Sequence, residues 1–345
     1  MFIRRAAIVG AVLALVASMP LTLGAQKKDE KRSKQERQEM ESLLKVVDAP
    51  GGQVPQDFQI TVEQQNFMRN IDGKTFAPLT LDLEPGKIAT DGVVLYVRMK
   101  GLSPAAATPA SDKDKKDNKG GQMYAWDSVR FLPIAAQPGL PIRLNHGLAV
   151  SGGDYELTIA VRERAGDKKG APSPKTSILK KTVTVPDYNV ADLATSSLMM
   201  IGRMEPVSTP PTAESLLDDP YAMGASRMIP TTDTKIRKSG ELNLVFFVYG
   251  TGLDAAGKPN LTMEYNFYQK QADGMDKYFN KTSPQDVNAN TLPPSFNLAT
   301  GSVVPGGIAV PVTSFPLGDY RLEVKITDKI SGKTLTKNVP FSVVA

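Results

Sequence analysis

From about residue 55 onward the apolar residues fall at every second position in short runs. Phe58-Gln59-Ile60-Thr61-Val62, Leu79-Thr80-Leu81-Asp82-Leu83 and Leu157-Thr158-Ile159-Ala160-Val161 all follow this rule. Alternation sends successive side chains to opposite faces, so each run predicts a strand with one buried face. Two runs are almost continuously apolar, Val93-Val94-Leu95-Tyr96-Val97 and Leu244-Val245-Phe246-Phe247-Val248. They predict central strands covered on both faces. Clusters of Gly, Pro, Asn and Asp punctuate the runs, as turns require. No stretch after residue 48 keeps a helical period for three turns, so the mature chain is expected to be all-β.

The pattern also repeats. Gly153-Asp154-Tyr155-Glu156-Leu157 returns as Gly318-Asp319-Tyr320-Arg321-Leu322. Upstream, the apolar run from Leu95 to Leu102 is echoed from Phe246 to Leu253; downstream, Thr182 to Pro186 is matched by Val339 to Val343. Three landmarks in one order predict two copies of a module, at 50–187 and 188–345. Each offers about seven strands, the number of an immunoglobulin- or fibronectin III-like sandwich. In such folds a tyrosine near the start of strand F turns its hydroxyl onto upstream backbone. Tyr155 and Tyr320 are therefore read as structural corners rather than ligand contacts.

The chain begins differently. Arg4 and Arg5 precede an uncharged run from Ala6 to Ala17, followed by Pro20 and Leu23-Gly24-Ala25. A positive start, apolar middle and small-residue exit describe a signal peptide over 1–25. Extended to Ala25 the run reaches the length of a membrane span, so retention as an anchor is the alternative, and the membrane is expected to be touched only there. Residues 26–49 mix charges at helical spacing, as in Lys27–Glu30 and Arg32–Glu36, with no apolar residue before Met40. That composition predicts a solvated helical or disordered spacer. Residues 103–121, Ala/Pro- then Lys/Asp- then Gly-rich, are expected to form a disordered insertion in the first module. Thr209 to Pro220 reads as a flexible loop, and Gly250 to Gly257 as a hairpin loop.

Four segments carry a resemblance. Leu193 to Met200, Asp219-Pro220-Tyr221, Pro259 to Tyr265 and Leu317 to Leu322 resemble the tail region of secreted bacterial von Willebrand factor A-related and GWxTD-type proteins. The resemblance implies an envelope or surface protein of β-sandwich build. The Asp-x-Ser-x-Ser metal loop of a von Willebrand A domain has no counterpart in this sequence, so metal-dependent adhesion does not carry over.

Composition narrows the chemistry. Cysteine is absent, so stability must come from burial, not disulfides. The formal charge is +5, and removing Arg4 and Arg5 leaves 5 − 2 = +3. Lys and Asp are interleaved rather than clustered, which argues against nucleic-acid binding. The single histidine, His146, lies in Leu144-Asn145-His146-Gly147-Leu148. It is expected in a surface turn; one histidine forbids multi-histidine zinc sites. No Gly-x-Ser-x-Gly elbow, calcium loop or carboxylate pair is present, so no catalytic residue, metal or cofactor is nominated. The remaining candidates are aromatic: Trp126 and Tyr265, Tyr268 and Tyr278 as ligand or partner contacts. Tyr265 shares its strand face with Phe267 and most simply faces the core, while Tyr268 points the other way. The expectation is a periplasmic or extracellular, non-enzymatic protein whose sandwiches bind another envelope or secreted protein. The alternatives are a carbohydrate-binding module and an accessory subunit of a secreted hydrolase.

Overall fold

The structure is a computed structural model that describes residues 32–49, 54–70, 72–103, 124–165, 173–189 and 191–345. The signal segment and nearly all of the 103–121 insertion lie outside the described residues. The remainder is almost entirely β and divides into two compact units. Among the described residues, one unit holds those from 32 to Asp187 together with residues 213–220; the other holds those of 188–212 and 221–345.

The first unit contains β1 (Ile60–Gln65), β2 (Met68–Arg69), β3 (Thr75–Leu83), β4 (Gly92–Gly101), β5 (Trp126–Pro133), β6 (Ile142–Val150), β7 (Gly153–Glu163) and β8 (Thr176–Val185). One sheet joins β1, β3 and β6, with β2 on β3; the other runs β5-β4-β7-β8, and all pairs are antiparallel. Leu79, Leu81 and Leu83 of β3 are fully enclosed, as are Val93, Leu95 and Val97 of β4. On β4 the residues of the opposite parity, Val94 and Tyr96, are buried too.

What covers that second face is a helix, α1 (Lys34–Val47). Ser33 caps it: its Oγ accepts from the Glu36 N–H at 3.1 Å, and its own N–H donates to the Glu36 carboxylate at 2.9 Å. This reciprocal box satisfies two N-terminal donors that would otherwise lack partners. Leu43 and Val47 pack with Val94, Tyr96, Ala160 and Ile178 in one apolar cluster. Glu39, on the same stripe, is buried against Arg164 at 2.7 Å and accepts the Ala165 N–H at 3.0 Å. At the other end Asp48 meets Arg98 at 2.6 Å. The expected solvated spacer is thus corrected: residues 34–48 dock on the sheet. Charge outnumbers apolar residues along the helix, but Leu43 and Val47 fall four apart and share the buried face with Glu39.

Three local expectations also change. His146 is not in a turn; it lies within β6, opposite Leu79, and is wholly buried. Ile142, Leu144, His146, Leu148 and Val150 alternate, so parity places the imidazole in the inward row. Residues 213–220 are no free loop: a short 3-10 turn at Ser215–Leu217 buries Leu216 and Leu217, and Arg130 of β5 grips both carboxylate oxygens of Asp218 through its Nε and Nη2. Gly250 to Gly257 does not close a hairpin, because the strands on either side of it belong to different sheets.

The second unit contains β9 (Ala194–Thr195), β10 (Met199–Pro206), β11 (Ala222–Met223), β12 (Ser226–Pro230), β13 (Lys235–Arg237), β14 (Glu241–Tyr249), β15 (Leu261–Lys270), β16 (Asp276–Lys281), β17 (Gln285–Val287), β18 (Val304–Pro311), β19 (Gly318–Asp328) and β20 (Thr334–Val344). One sheet runs β11-β12-β10-β14-β18 with β9 on β14. The other runs β13-β20-β19-β15-β16 with β17 on β15. Both contribute to a single core, including Leu244 and Phe246 from β14, Tyr265 and Phe267 from β15, Leu322 and Val324 from β19, and Phe341 from β20. The order β16-β15-β19-β20 repeats the order β5-β4-β7-β8 of the first unit, so β15 stands where β4 does, and the expected echo of Leu95–Leu102 at Phe246–Leu253 is corrected because β14 lies in the other sheet.

Candidate functional site

Strands β15 and β19 are buried at every second residue and half-exposed between. No described element covers their outer face, in contrast to β4 beneath its helix. Register places the outward residues opposite one another. Tyr278 of β16 faces Tyr268 of β15, Tyr268 faces Arg321 of β19, and Arg321 faces Pro340 of β20. A bulge between Phe267 and Tyr268 brings the two tyrosines into this one row.

The row is ordered by its own contacts. Tyr268 and Tyr278 meet edge to face, 5.8 Å between centroids, an arrangement that suits the ring quadrupoles. The Arg321 guanidinium lies 4.2 Å above the Tyr268 ring. Its Nε donates to Asp276 at 2.5 Å, and its Nη1 donates to Asn338 at 2.6 Å and Glu323 at 3.3 Å. Ion pairs this exposed add only ~0–1 kcal/mol to stability; their effect here is to hold the guanidinium over the ring. Within the row Tyr278 is 52% exposed, and beside it Met275 is 67% exposed. The result is a surface of Tyr, Arg, Asn and Pro, set on rigid strands and open to solvent.

The other sequence candidates lie elsewhere. Tyr265 is fully buried in the core; its hydroxyl accepts the Gly307 N–H at 3.2 Å and donates to the Gln285 side chain at 3.1 Å. Burial pushes this phenol well above its ordinary pKa, and it has no path to a ligand. Trp126 is buried at the start of β5 in the first unit. Tyr155 donates to the Ser151 carbonyl and Tyr320 to the Pro316 carbonyl, each at 2.8 Å and each four residues back. Gly153 (φ 149°) and Gly318 (φ 142°) enter both corners with positive φ, which side chains disfavour. Of the four candidate contacts, then, the structure brings Tyr268 and Tyr278 together and sends Trp126 and Tyr265 into cores. Sequence reasoning missed Arg321, Asn338 and Pro340; counting parity outward from Tyr320 along β19 would have found the arginine.

Elsewhere among the described residues, no group of three or more acidic, histidine or cysteine side chains gathers as a metal site requires. No described helix is long and apolar enough to cross a membrane. No protein-family model matches the sequence, and no curated protein matches it. Among solved structures, the chain is similar to trypsin-activated alpha-2-macroglobulin from Escherichia coli, at 10% identity and a TM-score of 0.23, over 85% of this chain and 17% of that one. It is also similar to a mutant alpha-2-macroglobulin from Salmonella, at 10% identity and a TM-score of 0.21, over 84% of this chain and 17% of that one. The chain thus spans 17% of the length of each of these two proteins.

Proposed function

We propose that this chain is an exported, non-enzymatic envelope protein of two tandem immunoglobulin-like sandwiches, which docks another protein on the row Tyr278–Tyr268–Arg321–Pro340. The observation that carries the reading is this row, an exposed tyrosine–arginine patch on an uncovered sheet face. Tyr and Arg, with Trp, are enriched at binding hot spots, because tyrosine brings large contact area and arginine directed hydrogen bonds. The tandem reading draws on the shared strand order and on the two i−4 tyrosine corners. Export draws on the signal-like pattern of residues 1–25.

A sugar-binding platform fits the geometry less well. Stacking of a pyranose needs a free ring face, and Arg321 occupies one face of Tyr268 while Tyr278 stands nearly perpendicular to it. A photo-reactive side chain at position 278 of the full-length protein, in cells that make it, tests the proposal. One protein should be captured from position 278, none from the exposed loop position 254, and Arg321→Ala should weaken the capture. Equal capture from both positions, or glycan-array binding lost in Tyr278→Ala, overturns it.

A further inference from the structure

Residues 213–220 belong to the first unit, although the chain on both sides of them, Thr212 and Tyr221, belongs to the second. This strap lies on the one histidine of the protein. Leu216 and Leu217 are buried, and the Leu216 carbonyl approaches β6 so closely that a Cβ on Gly147 would sit 2.3 Å from it. Beside Gly147, the His146 ring is wholly enclosed. Its Nε2 is 2.8 Å from the Ser128 hydroxyl of β5. Its Nδ1 makes no hydrogen bond of normal geometry, while the Leu217 backbone lies close enough to act on the ring. The charged groups acting on the imidazole are Asp218 of the strap and Arg130 of β5, and these two are paired with each other. The neighbouring strand β3 carries one carboxylate, Asp82, bound to Arg143 three residues away from the histidine. No free carboxylate therefore awaits a proton on His146, and a cation there would be buried without a counter-charge.

We propose that residues 213–220 are an acid-released latch, closed on the first unit while His146 is neutral and freed when the ring takes up a proton. Burial lowers the imidazole from 6.5 to about 4 in the closed state. A group depressed in this way favours the closed state above its ordinary pKa, and that bias is lost as pH falls through 6.5 towards 4. With the open strap titrating near 6.5, linkage gives a rise in the open population of roughly 20- to 30-fold between pH 7 and pH 5.

Hydrogen exchange on the full-length protein, corrected for intrinsic rates, measures this. The strap amides of Leu217, Asp218 and Asp219 bond to carbonyls within the strap, so they exchange when it opens. Their protection should fall by that factor between pH 7 and pH 5, while amides of β19 and β20 hold theirs. His146→Gln should remove the pH dependence. Unchanged strap protection in the unsubstituted protein, or loss of β4 and β7 protection together with the strap, overturns the latch whether or not the variant folds.

Discussion

Replacing Leu43 by alanine tests whether α1 is part of the first unit. Leu43 is 0% exposed and sits in the middle of the cluster formed by Val47, Val94, Tyr96, Ala160 and Ile178. Removing a leucine side chain from such a site costs ~2–5 kcal/mol, the lost transfer energy plus the cavity left behind. A 14-residue helix has little stability of its own in water, so the loss falls on docking, and the helix should separate from the sheet before the sheet itself melts. The two flanking ion pairs do not compensate. Once the apolar contact weakens, Glu39 and Arg164 regain water and the pair adds little. Hydrogen exchange of the peptide covering 34–47 in the full-length protein should show protection reduced at least tenfold, with β14 and β20 unaffected. Lys45→Ala, exposed on the far side of the same helix, should stay within about 0.5 kcal/mol. If Leu43→Ala changes protection no more than Lys45→Ala does, the helix is a solvated spacer and the packing argument fails.

Tyr155→Phe and Tyr320→Phe should each cost about 1 kcal/mol, near the lower end for an unsatisfied carbonyl, because Ser151 and Pro316 are exposed enough for water to replace the hydroxyl. Urea unfolding that weakens one unit and spares the other would refute their equivalence. Burial alone would raise the Asp328 carboxyl, yet hydrogen bonds from the Gly252 N–H, the Ser331 hydroxyl and the Ile330 and Ser331 N–H groups hold it below its ordinary value. Its contribution is present above the unfolded pKa of about 3.9 and fades as pH falls below it; Asp328→Asn should therefore weaken the second unit at pH 7 and flatten its acid limb, read by urea midpoints between pH 3 and pH 7. Tyr278→Ala should leave the thermal midpoint unchanged, because an exposed ring on an edge strand buries little. A drop of several degrees would mean that the tyrosine row supports the fold. N-terminal sequencing of envelope fractions should find a start near Gln26, and intact Met1 would show a retained anchor.

Much of the β architecture was legible because period two is a direct consequence of strand geometry. Alternation at Leu79–Leu83 and Leu157–Val161 located strands correctly, but the single buried face it implied is corrected, since β3 and that part of β7 are buried on both faces. The unbroken run from Val93 to Val97 correctly implied cover on both faces. The nature of that cover was not legible, since the apolar residues gather only in the last turns, from Met40 to Val47, after a charged start, and only the partner sheet reveals that Glu39 shares the face of Leu43 and Val47. His146 was misread because its neighbours Asn145 and Gly147 favour turns, although the alternation through Leu144 and Leu148 carried the opposite message. The tyrosine row was half visible: parity separated Tyr268 from Tyr265, but Arg321 joins the row through a strand pairing more than fifty residues away in sequence. The strap was hidden for a similar reason. Local composition around the paired prolines describes how the backbone bends, not which unit receives Leu216 and Leu217.

That strap also limits how the chain can be divided. A linear boundary at 187/188 looks like a clean seam, and a gene cut there would encode a first half lacking residues 213–220. Such a half would expose the site beneath Leu216, open His146 to solvent and leave Arg130 without Asp218. The second half would carry an apolar segment with nothing to cover it. Exchange of one half for a foreign domain would therefore bring a folding defect on both sides of the junction. Recombination that treats the two halves as beads on a string should be selected against, while insertions into turns that leave the strap intact should be tolerated. The unit of inheritance is the pair.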